Sequence, residues 1–251
     1  MCDCSSGPNS VYYYPQIPLD ILSKRNIVIA IDGPAGSGKS TTARLVAERL
    51  GLLHIDTGAM YRAVTVKVLE KGVNPDNAAA ISGLISTTQV ELERTGGALH
   101  VVLDGVDVTG RIRDSDVTRS VSAVSRIREV REAMAQKQRE LGSTQGGVLE
   151  GRDIGTVVFP DADLKIFLIA SLDARAQRRQ DELHARGQEI DYEELRQEIA
   201  LRDELDSSRE MSPLRKADDA IELDTSMLTI EQQVEFVVRK ARSLMEGEGK
   251  D

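Results

Sequence analysis

The sequence has no tryptophan, three phenylalanines and two cysteines, and each scarcity removes a class of protein. With aromatics at 3%, the interior has to be assembled from Leu, Ile, Val and Ala. No basic surface interleaved with aromatics, of the kind that stacks on single-stranded nucleic acid, is in view. Cys2 and Cys4 both sit at the N-terminus, so no disulfide framework holds the body of the chain, as expected for a cytoplasmic protein. A tetrahedral metal site needs four ligands, and none lie near these two thiols. No stretch approaches the roughly 20 apolar residues that span a bilayer, so no membrane partner is expected. Residues 1–25 lack the basic start and unbroken apolar run of a signal peptide, and Pro8, Pro15 and Pro18 interrupt any helix there. They read as a loosely ordered extension, with Tyr12, Tyr13 and Tyr14 packing onto the body. Positive charge is short as well: the net charge of −9 argues against a nucleic-acid polymer, whose phosphates demand a basic surface.

What is present is an alternation. Residues 26–32 are continuously apolar and β-branched up to Asp32, the mark of a strand buried on both faces. Further buried strands are expected at Leu52–Asp56, Gly147–Glu150, Leu164–Ile169 and Ala220–Leu223. Helical spacing covers Lys39–Leu50, Ala59–Lys71, Asn77–Ser86, Ile127–Leu141, Leu172–Arg186, Tyr192–Arg209 and Thr229–Met245. Strands alternating with helices predict an α/β fold with a doubly wound parallel sheet. One segment breaks this rhythm, with short strands at Gln89–Leu92, Leu99–Leu103 and Val106–Val108. Thr95-Gly96-Gly97 and Asp104-Gly105 join them, and Asp-Gly suits a tight hairpin because both central residues need positive φ. Residues 84–123 therefore read as a small antiparallel β insert. The body divides into 26–83 and 124–245, with 246–251 as a tail.

Gly33-Pro34-Ala35-Gly36-Ser37-Gly38-Lys39-Ser40, followed by Thr41, matches the phosphate-cradling pattern between a buried strand and a helix. Glycines let successive N–H groups turn toward one centre, and the helix N-terminus adds its dipole. Lys39 then reaches the β- and γ-phosphates of a nucleotide, and the Ser40 hydroxyl is placed to ligate Mg²⁺. After the second strand, Thr57 is positioned as an N-cap, and Arg62 one turn later can grip the same anion. Arg152 and Asp153 leave the strand ending at Glu150, at the end of an open sheet where ligands bind. Arg175, Arg178 and Arg179 share one side of a helix, and Arg202, Asp206 and Arg209 another face. The ordinary alternative for such helical charges is a solvated, self-paired surface. His54, His100 and His184 stand at no metal or triad spacing and are given no role.

These stretches, from Ile31–Thr41 through Asp56–Arg62 and Gly151–Asp161 to Arg202–Arg209, resemble the bacterial cytidylate kinases over about Ile27–Met245. The resemblance implies a P-loop kinase fold with a core, a monophosphate-binding insert and a helical lid at 176–192. It implies ATP at Gly33–Thr41 and phosphate contacts from Arg62, Arg152 and Arg209 beside Thr57. Ser122, Arg131 and Asp153 would read cytosine, with Ser125 as a second serine near the first. Arg202 and Asp206 would grip the ribose, while Arg178 and Arg179 would belong to the lid. The implied reaction is in-line transfer from MgATP to CMP or dCMP, by a monomer. Another small-molecule kinase on this scaffold (for UMP, AMP or shikimate) and a non-catalytic nucleotide sensor are the competing readings.

Overall fold

The computed structural model describes residues 27–95, 98–185 and 187–247; the N-terminal extension, Gly96-Gly97, Arg186 and the last four residues lie outside them. Five parallel strands form the central sheet: β1 (Val28–Asp32), β2 (His54–Asp56), β6 (Gly147–Gly151), β7 (Leu164–Ile169) and β8 (Ile221–Asp224), in the order β2-β6-β1-β7-β8. β1 is buried along its whole length because both faces are covered. Ile29 and Ile31 point to the side of helices α1 (Lys39–Leu50) and α8 (Ile230–Glu246), where they meet Val46, Leu50, Val234 and Val237. Val28 and Ala30 point to the other side, against Ile55, Leu149, Ile154 and Ala135 of helix α5 (Arg128–Gln145). Each fully buried aliphatic side chain stabilises the fold by roughly 1.5–3 kcal/mol, which fixes the strand order around β1.

Local signals end the helices where the sequence expects it. Gly51 closes α1 in the left-handed region with φ 66°, and Thr229 opens α8 with a capping box to Gln232. Helix α2 (Thr57–Glu70) starts two residues earlier than the apolar spacing suggested. Its N-cap is Asp56, whose carboxylate accepts from the Ala59 N–H, so Thr57 is the first helical residue and not the cap. The remaining helices are α3 (Ala78–Ile85), α4 (Ser115–Ser125), α6 (Leu172–His184) and α7 (Tyr192–Ser207).

The expected insert is only partly β. The antiparallel sheet, β3 (Val90–Thr95), β4 (Ala98–Leu103) and β5 (Val106–Asp107), occupies the middle of the 84–123 segment. Asp104 and Gly105 take φ 49° and 83°, the positive pair that the hairpin requires. Past it, a 3-10 turn at Arg111–Arg113 leads into α4, where an antiparallel strand region was expected. Val117, Val121 and Val124 recur at helical spacing and are buried, so tertiary packing overrides the low helix propensity of valine. Val90, Val101 and Leu103 share a continuous core with Met60, Val64, Val117 and Val130, and the sheet packs onto α2. Among the described residues no helix is long and apolar enough to cross a membrane.

Candidate active site

β1 runs directly into the phosphate loop. At Gly33, φ is 149° and a Cβ would lie 2.1 Å from the Leu168 carbonyl oxygen of β7, so no other residue fits. Gly38, with φ 90°, starts α1 without any side-chain cap, and the first turn carries no acidic residue. Its N–H groups and the positive end of the dipole therefore face an incoming anion unopposed. The loop is held from behind: the Ser37 hydroxyl donates to the Pro34 carbonyl at 3.0 Å, and the Thr225 hydroxyl donates to the Ser37 carbonyl at 3.0 Å. Arg175 donates to the Ala35 carbonyl at 3.1 Å and pairs with Asp203 of α7 at 2.6 Å. Arg178 donates to Thr225 and, at 3.4 Å, to the Gly36 carbonyl. The buried Lys39 ammonium lies over the loop, 2.5 Å from the Pro34 carbonyl oxygen.

The second half of the site faces this loop from the ends of β2 and β6. Arg62 pairs with Asp56 at 3.0 Å across the first turn of α2, over Gly58, where a Cβ would stand 3.2 Å from its guanidinium. The buried Thr57 hydroxyl donates to the Glu150 carbonyl at 2.6 Å, tying α2 to β6. After Gly151, a π-helical turn at Ile154–Val158 replaces the simple loop expected from the sequence. The buried Asp32 carboxylate anchors it, accepting from the N–H groups of Ile154 and Gly155 at 2.9 and 2.8 Å. Asp153, just before the turn, pairs with Arg131 of α5. Arg131 also donates to the Ser125 carbonyl at 3.1 Å and lies 5.4 Å from the centroid of the Tyr61 ring.

Asp206 joins three segments. It accepts from Arg152 at 2.8 Å and from Arg209, which lies just beyond the end of α7 and also donates to the Ser125 hydroxyl at 3.1 Å. Ser125, the second serine, is thus the one hydrogen-bonded to Arg131 and Arg209. The Ser122 carbonyl only accepts from the Ser125 hydroxyl at 3.3 Å. Arg178 braces the phosphate loop from outside, and Arg179 pairs with Glu182 of its own helix, the self-paired arrangement that exposed helical charges ordinarily adopt. The sequence reading also passed over Glu150 and His54. Glu150 is buried at the end of β6, where its carboxylate accepts from the Ser40 hydroxyl at 2.6 Å and contacts His54 Nε2 at 3.0 Å. An acidic residue ending the strand beside β1 was the available signal, because such an end must face the first turn of α1.

Electrostatics say what the pocket is built to hold. Burial, reinforced by repulsion from Arg152, pushes the Arg202 guanidinium down to about 10, and burial with Arg152 and Arg202 nearby holds Lys39 well below the usual lysine range. Both shifts come first from burial and then from neighbouring cations, so the charged forms are costly here until an anion pairs with them. Buried polar atoms of Arg131, Arg202 and Arg209 (each Nε) and Asp203 (Oδ1) have no hydrogen-bond partner in the structure. Unpaired buried polar atoms at this density, three of them guanidinium donors, are costly unless a ligand completes them. A phosphate loop facing a second, arginine-lined anion pocket defines the P-loop phosphotransferases that act on small molecules.

Comparison with known proteins narrows the class. The family model described as cytidylate kinase matches residues 29–243. The chain is 51% identical to a cytidylate kinase of Bacillus pumilus over 83% of its own length and 93% of that protein. It is 50% identical to one of Pelodictyon phaeoclathratiforme, covering 88% and 96% of the two chains. With one of Geobacter sulfurreducens it shares 45% identity, over 88% and 97%. The chain belongs to the cytidylate kinase family.

Proposed function

We propose that the chain transfers the γ-phosphoryl group of MgATP to CMP or dCMP, releasing ADP and CDP or dCDP. Family membership supports the reaction, and the observation that carries the residue assignment is the arginine cluster joined by Asp206, whose Arg152 and neighbouring Arg202 lie near enough to Lys39 of the phosphate loop to weigh on its charge. Gly33–Thr41 takes the donor. Arg62, Arg152 and Arg209 take the acceptor phosphate next to Thr57, and Arg202 and Asp206 the sugar. The Arg131–Asp153 pair, with Ser122 or Ser125 beside it, takes the base: cytosine offers an amine donor where uracil offers an acceptor, and a carboxylate distinguishes the two.

The donor set around Ser40 suits a magnesium ion. A hydroxyl backed by a carboxylate supplies hard oxygen, and among the described residues no cluster of three His, Cys, Asp or Glu forms an all-protein cage. Mg²⁺ commonly takes one or two protein oxygens and completes its shell with phosphates and water. Bound with the nucleotide, it would neutralise charge on the β- and γ-phosphate oxygens. An acceptor phosphate oxygen forms the new bond to the γ-phosphorus as the bond to the bridging oxygen breaks. No general base is needed, since that oxygen is already anionic at neutral pH. Lys39 and the arginines act by positioning and charge neutralisation in a site shielded from water. Closure of the 176–192 segment would bring Arg179 away from Glu182 toward the phosphates and suppress hydrolysis of ATP. A coupled ADP-release assay across CMP, dCMP, UMP, AMP and shikimate tests the proposal. Preference for anything but CMP or dCMP overturns it, and nucleotide binding with no turnover on the panel supports a sensor instead.

A further inference from the structure

His54 opens β2 at the edge of the sheet, in register with Val148 of β6. Glu150 lies two residues further along β6, so its side chain shares the face of Val148, and the two side chains meet diagonally under α1. Each oxygen of the Glu150 carboxylate then has its own partner: Oε1 lies 3.0 Å from His54 Nε2, and Oε2 accepts from Ser40 at 2.6 Å. The carboxylate side chain is 4% exposed, so water has little access to replace either partner. A carboxylate only accepts, which requires His54 Nε2 to carry the proton in this pair. Ser40 has a single hydroxyl proton, and donating it to Glu150 leaves its oxygen lone pairs free to accept a metal ion.

We propose that His54 is a positioning residue for the metal–nucleotide complex, holding the Glu150 carboxylate so that it fixes the Ser40 hydroxyl as a metal ligand. His54 touches neither nucleotide nor metal, and this role rests on the assignment of Ser40 above. Without the imidazole, Oε1 is a buried anionic oxygen lacking a donor. The carboxylate then turns toward another donor, which releases the orientation of Ser40. Groups hydrogen-bonded to a metal ligand, as Glu150 would be, typically alter metal binding by 10–100-fold, and His54, one bond further out, should act at the low end of that range.

The test is calorimetric titration of the full chain with ADP, in excess Mg²⁺ and in EDTA, for wild type, His54→Phe, His54→Gln and Ser40→Ala. The Mg²⁺-dependent gain in ADP affinity should shrink about tenfold or more in His54→Phe, with the EDTA affinity within about twofold of wild type. His54→Gln, which keeps a donor near the Nε2 position, should recover most of the gain, and the apparent Mg²⁺ requirement for turnover should follow the same order. A gain within twofold of wild type in His54→Phe, or a loss that His54→Gln does not recover, overturns the proposal. Should His54→Phe fail to fold, His54→Asn, too short to reach Glu150, replaces it under the same criteria. Ser40→Ala separates the two levels: if it leaves the gain intact, the metal assignment itself fails, whereas loss in Ser40→Ala alone refutes only the role of His54.

Discussion

Replacing Asp206 by Asn keeps the shape of the side chain and removes the charge that Arg152 and Arg209 share. Its side chain is 2% exposed and that of Arg209 is 7%, so the change leaves buried guanidinium groups without a counter-ion. Removing one partner of such a buried pair costs about 3–5 kcal/mol. For a chain of this length each kcal/mol moves the melting temperature by about 2–4 °C, so a fall of roughly 6–20 °C is expected by differential scanning fluorimetry. Because the orphaned charges are cationic, an anion should return part of the loss. Sulfate or CMP should therefore raise the melting temperature of Asp206→Asn more than that of wild type. The pH dependence has a definite sign. Burial pushes the Asp206 carboxyl up, but Arg152, Arg209 and Arg202 more than reverse this and hold it below the usual range. A depressed folded pKa contributes stability that is fully present above the unfolded value, about 4, and is lost as pH falls through the folded value. The gap between wild type and variant should therefore close only in acid below about pH 4. Kinetically, kcat/KM should fall for CMP and dCMP alike, because Asp206 orders arginines proposed to hold the phosphate as well as facing the sugar. A melting temperature within about 2 °C of wild type, or a defect confined to CMP, would refute this account.

Three further outcomes can be checked. Gly33→Ala places a methyl group against the Leu168 carbonyl, so β1 and β7 must part, and calorimetry should find ADP binding lost; affinity within twofold of wild type contradicts the close approach. Burial raises the Asp32 carboxyl to about 6 despite its backbone donors Gly155 and Ile154, so its ionisation subtracts roughly 3 kcal/mol of stability as pH rises from about 4 to about 6. The stability of Asp32→Asn relative to wild type should accordingly improve across that window, and a pH-independent difference counts against the shift. Ser125→Ala removes an acceptor from Arg209 and should raise KM for every monophosphate by roughly two- to tenfold. If Ser122→Ala instead produces that uniform defect, and Ser125→Ala changes only the CMP-to-UMP ratio, the roles of the two serines are reversed.

Much of this molecule follows from local sequence, because local physics is enough to specify it. A β-branched run followed by a glycine loop and Lys-Ser has few alternatives to strand, phosphate cradle and helix, and the caps at Gly51 and Thr229 act within one turn. Helix starts were harder: at α2 two candidate caps stand side by side, and the carboxylate of Asp56, not the hydroxyl of Thr57, takes the N–H. Helix α4 was not foreseen within the 84–123 insert, and its buried Val117, Val121 and Val124 share the core with Met60 and Val64 of α2. The candidate site divides in the same way. Its residue types were legible as an arginine-rich second half, but their partners are distant in the chain: Ser40 meets Glu150, Arg131 meets Asp153, and Arg152 meets Asp206. No spacing rule links such positions. The parallel sheet does, by bringing the ends of β1, β2 and β6 to one edge, and with it His54 changes from an unassigned histidine to the donor behind Glu150. The sequence by itself determined that a nucleotide is held and which side chains carry the charge. Only the tertiary structure decided which of those charges are buried together, because burial and pairing are properties of the packed sheet and not of any segment.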